Sequence, residues 1–126
     1  MMNESIKRIK QIEIENIIWL IYIFIIGLCL YANSFEKNYF ETGNKNSKET
    51  YRKLTITIFT IAIIVYIYFF IDSYDDLKNI NQYTSQRTRK LNNLSFIGTT
   101  FILLSGIIFL YIAIVDKDLD IELAFN

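Results

Sequence analysis

Three stretches without a single charged residue govern what this 126-residue chain can fold into: 16–35, 54–71 and 91–115. Wound as helices at about 1.5 Å per residue, each crosses, or nearly crosses, the ~30 Å hydrocarbon core of a bilayer. A helix on the surface of a soluble domain needs a polar face recurring every three or four residues, and these runs have none. A water-soluble fold of this size has too little interior to hide all three. Each Ile, Leu, Phe or Val near a bilayer centre contributes roughly −0.3 to −0.6 kcal/mol of insertion free energy, so a dozen per block give on the order of −5 kcal/mol. A β-barrel is excluded, because its strands need only about 10 residues and alternate in sidedness. The reading is an all-α integral membrane protein. It predicts one three-span domain over 1–126, with transmembrane helices at about 16–35, 54–71 and 94–115.

The flanks refine these limits. Ile12-Glu13-Ile14-Glu15 alternates like a half-buried strand, but it runs straight into the first apolar block. A carboxylate such as Glu15 at the bilayer centre would cost roughly 2.5–3.5 kcal/mol, so the alternation marks the depth at which the span begins. Upstream, Ile6, Ile9 and Ile12 stand among Lys7, Arg8 and Lys10, which predicts an interfacial helical extension with snorkelling lysines. Trp19 and Tyr22 occupy the level of an aromatic belt. The basic start also resembles a signal-peptide n-region. However, Glu13 and Glu15 interrupt it, and "LCLYANSF" lacks a convincing small-x-small cleavage site, so the block is read as a retained span. Residues 33–53 read as a polar loop of about twenty residues. It has a turn at Gly43-Asn44 and Ser47 as the N-cap of the next helix. Residues 79–93 read as a second loop, and 116–126 as a solvated acidic tail.

The third block carries a pattern of its own. Ser95, Thr99, Ile102, Gly106, Phe109 and Ala113 are spaced four, three, four, three and four apart. That is one seam of a left-handed helix pair, and most of its members are small. Helices associate in lipid by close packing, which small residues permit, so the seam is predicted to face other helices.

Thirteen basic residues balance thirteen acidic ones, so no net field points to nucleic acid. With three spans the N-terminal segment and second loop share one side, and the first loop and tail share the other. Lys and Arg divide seven against six between the sides, which decides nothing under the positive-inside rule. The acidic tail favours an N-terminus inside. Glu13, Glu15 and Asp72 fall on the same side as Arg87, Arg89 and Lys90 and form a set of candidate interfacial charge partners, each pair worth about 0–1 kcal/mol.

No catalytic chemistry is announced. The chain has no His and a single cysteine, Cys29, inside the first span. Phosphate loops, nucleophile–base arrangements and Cys-x-x-Cys pairs are absent from the sequence. Asp116, Asp118 and Asp120 lack the glycine a cation-binding loop wants at its turn, so neither a metal nor a cofactor is expected. No charge lies mid-span, which argues against a self-contained pump or transporter. The expectation is a non-enzymatic, multi-pass protein of a bacterial cytoplasmic membrane. Its partners would be the bilayer and either a second copy or another membrane protein, with the chain serving as an accessory subunit or homo-oligomer. The abundance of Ile, Asn and Lys suits an AT-rich bacterial genome. In size and three-span layout the chain resembles some phage holins, which form lesions in the cytoplasmic membrane, although their tails are commonly basic. Small bacteriocin-immunity proteins are also short multi-span chains. These two resemblances imply a pore former or an immunity protein as alternatives.

Overall fold

A computed structural model describes residues 2–123 and is all-α. Helix α1 covers Met2–Thr42, α2 Lys45–Lys78 and α3 Gln86–Val115. All three are long and apolar enough to cross a membrane. Their Ile- and Phe-rich sequences are not strong helix formers in water. In an apolar medium the helix wins because it satisfies every backbone N–H and C=O within one segment.

The helices extend well past the apolar blocks. At 41 residues, α1 is about 60 Å long, twice the hydrocarbon thickness. The polar stretch expected as a twenty-residue loop over 33–53 is helical except at 43–44. Glu36, Lys37, Glu41, Lys48 and Glu49 tolerate a helix, and nothing before Gly43 stops one. The Gly43 and Asn44 turn is where the sequence places it. Gly43 adopts φ +73°, and its N–H donates to the Tyr39 carbonyl at 2.7 Å, which closes α1 in an αL cap. Asn44 then caps α2: its Oδ1 accepts from the amides of Asn46 (2.9 Å) and Ser47 (3.4 Å). The expected cap, Ser47, is therefore already inside the helix, where it is buried and its Oγ accepts from Asn38 Nδ2 at 2.6 Å. Lys48 lies 5.4 Å from the centre of the Tyr39 ring. Because a β-branched residue at φ +73° is strongly disfavoured, Gly43→Val is expected to cost roughly 1–2 kcal/mol. The loss would be read as a lower thermal midpoint of the detergent-solubilised chain.

The second connection is also shorter than expected, since α3 starts at Gln86 and not near Leu94. Ser85 caps it, accepting from the Thr88 amide at 3.1 Å. Over 79–85, Asn81 Oδ1 accepts from the Tyr83 amide, and Arg89 ties the loop by donating to the carbonyls of Asn81 and Thr84. The other end of α3 falls at Val115, where the sequence puts it. Asp116 closes it, its two carboxylate oxygens accepting from the Asp120 and Ile121 amides at 3.0 Å each.

The chain divides into two compact units between Leu54 and Thr55. The first comprises α1 and the opening turns of α2. The second comprises the rest of α2, α3 and the tail as far as Leu123. Within the second unit α2 and α3 run antiparallel. Contacts step from Phe59–Phe109 through Tyr66–Gly106 and Ser73–Thr99 to Tyr74–Phe96, descending one helix as they climb the other.

Candidate functional site

The feature with most structure around it is the α2–α3 seam. Its α3 side runs through Phe96, Thr99, Leu103, Gly106, Leu110 and Ala113, all buried or half-buried. At roughly 100° per residue these positions fall on one stripe. Its middle is Gly106: a Cβ built there would lie 3.0 Å from the Tyr66 ring and 3.2 Å from Ile63, so the glycine lets α2 and α3 approach. Toward the tail end, Phe59, Ala113 and Leu123 form a buried cluster, with Ile56, Phe109, Leu110 and Ile112 packed on it. Leu123 is thus folded against the helices, and the tail is not simply solvated as expected. Its opening turn is held by Asp116 and passes through Leu119 at φ 56°.

At the other end Ser73 Oγ and Thr99 Oγ1 meet at 2.7 Å, and each also lies near its own helix, at Phe70 O (2.9 Å) and Phe96 O (3.0 Å). Two hydroxyl protons serve three contacts, so whenever the interhelical bond is made one helix carbonyl is relieved of its hydroxyl partner. Such an interhelical bond contributes about 0.6 kcal/mol in a membrane. Its larger effect is to fix the register of two otherwise greasy surfaces.

The predicted stripe maps onto this seam in part. Thr99, Gly106, Phe109 and Ala113 lie on or against it. Ser95 and Ile102 do not, since both are exposed. The packed stripe is rotated by part of a turn relative to the small-residue pattern, because Phe96 and Leu103, which are large, pack there too. Ser95 and Ile102 instead fall on a second line with Gly98 and Ser105, spaced three, four and three. All four are exposed, and around the Gly98 Cβ position nothing lies within 4 Å.

The members of the candidate charge set occupy different settings along the helices. Glu15 pairs with Arg8, two turns earlier on the same helix, at 3.5 Å. Glu13 is exposed and Asp72 half-buried. Arg89 serves the 79–85 loop, whereas Arg87 and Lys90 are exposed on the first turns of α3. Two further ion pairs lie within single helices, Arg52–Glu49 at 3.5 Å and Lys37–Glu41 at 3.9 Å. Sequence reasoning missed Asn81, Thr84 and Arg89 as a unit. The available signal was an Asn-x-x-Thr-Ser run just before a basic helix start.

Many large apolar side chains are exposed. Ile17, Leu20, Ile23 and Leu30 on α1 are 58–69% exposed, and in the most apolar 18-residue windows of α1 and α3 only 6% and 11% of residues are buried. Among the described residues no three His, Cys, Asp or Glu side chains gather at metal-binding distance. No known protein family, curated protein or solved structure matches the chain.

Proposed function

We propose that this chain is an integral, multi-span protein of the bacterial cytoplasmic membrane, with its N-terminus inside. It acts without catalysis, through helix–helix contacts, as a homo-oligomer or as the accessory subunit of another membrane protein. The observation that carries the reading is the exposed line Ser95, Gly98, Ile102 and Ser105 on α3. The seam centred on Gly106 is consumed within the chain, so it offers nothing to a partner. The second line offers small side chains and open space at Gly98, which in lipid is the surface that lets another helix approach closely.

Cysteine cross-linking tests this. In a Cys29→Ser background, Ser95→Cys and Ser105→Cys are expected to give oxidant-dependent cross-links in native membranes, and Gly98→Leu is expected to abolish them. Chains that remain uncross-linked at both positions, to each other and to any neighbour, would refute the assignment. A pore former would instead register as prompt loss of membrane potential when expression begins.

A further inference from the structure

Residues 82–94 border a shallow, largely open cleft of about 650 Å³. Its walls carry Arg89 and Lys90, the carboxamides of Gln82, Gln86 and Asn93, and the aliphatic side chain of Leu94. No carboxylate lines it. The main-chain amide at Thr88 is already taken by Ser85. Arg89 spends Nε and Nη2 on the loop carbonyls, which fixes its guanidinium and leaves the Nη1 face as donor. Lys90 has no ion pair among the described residues. On the adjoining surface of α3, Leu91, Leu94 and Ile97 are exposed.

Two cations and three amide donors, with no acid among them, form a site for an anion with several acceptor oxygens. The apolar surface leading away from it suits a chain attached to that anion. We propose that this cleft binds a phosphate ester, and that the phosphate is the headgroup of an anionic phospholipid whose acyl chains lie along Leu91, Leu94 and Ile97. Free phosphate shares the headgroup chemistry but would leave the apolar strip unused. The inference rests on the reading that the chain spans a membrane.

The test is native mass spectrometry of the full detergent-solubilised chain with equimolar phosphatidylglycerol and phosphatidylcholine. The wild type is expected to retain phosphatidylglycerol preferentially. Lys90→Gln should reduce the preference roughly fivefold, given about 1 kcal/mol per surface cation, and Lys90→Glu with Asn93→Asp should abolish it. Neither variant touches the bonds that Arg89 makes to the loop. A control, Lys37→Gln with Lys45→Gln, should leave the preference intact. Equal retention of the two lipids by the wild type, or equal losses in cleft and control variants, overturns the proposal. So does displacement of the lipid by millimolar inorganic phosphate, which would make free phosphate the ligand. Alkaline extraction of the same membranes separates the two readings. A chain that resists extraction yet shows no lipid preference sinks the cleft alone, whereas a chain that is extracted sinks the membrane assignment.

Discussion

Gly106→Leu is expected to destabilise the α2–α3 pair by about 1–3 kcal/mol, the usual range for overfilling a packed site. The first added carbon meets the Tyr66 ring at 3.0 Å and Ile63 at 3.2 Å, and leucine carries three more carbons beyond it. The helices must separate, which also stretches the Ser73–Thr99 bond at 2.7 Å and loosens the Phe59–Phe109 contact, now at 5.9 Å between ring centres. Circular dichroism of the purified chain in detergent, followed through thermal or SDS titration, reads the loss. Gly98→Leu is the internal control. It sits on the same helix in open space and should leave the monomer's unfolding curve within about 0.5 kcal/mol of the parent. Equal curves for the two variants would show that Tyr66 and Ile63 yield, and that Gly106 does not set the helix spacing.

Ile23→Asp carries the second large effect, and its size depends on the solvent. Ile23 is 64% exposed. At an exposed position in water such a change lies within about ±0.5 kcal/mol. In the middle of a transmembrane helix, a carboxylate costs roughly 2.5–3.5 kcal/mol of insertion free energy, or about two orders of magnitude in the insertion equilibrium. The expected outcome is a sharp fall in membrane-integrated protein, measured as the alkali-resistant fraction of cell membranes. A variant as abundant and alkali-resistant as the parent would contradict a lipid-facing α1.

The three helices were legible because uncharged apolar length is a physical quantity that sequence states directly. Their ends were less so. Hydropathy reports where a chain meets lipid and not where its helix stops, so the polar extensions over 36–42 and 45–53 read as loop. The decisive stop was the Gly43-Asn44 pair, which the sequence displays. Ser47, followed by Glu49, Thr50 and Arg52, has the look of a helix start, yet Asn44 both makes the turn and caps the helix. The seam was half visible. Small size located Gly106 and Ala113, but the criterion could not see that Phe96 fits between Phe70 and Tyr74. The pairing of Glu15 with Arg8 follows from helix continuity through 2–15, which a depth argument does not consider.

The two-residue connection between α1 and α2 also governs reach. A flexible twenty-residue loop would sweep a broad volume and offer proteases an unwound target. This hairpin has a height instead. Above Phe35, seven residues of α1 rise about 10 Å before Gly43 turns the chain. The ascending and descending legs are fastened by Asn38–Ser47 and by Lys48 on Tyr39. Lys37, Glu41, Lys45 and Glu49 therefore stand at set levels like rungs on a post. Whatever docks there would meet them at a constant distance from the first apolar block, with no slack to take up.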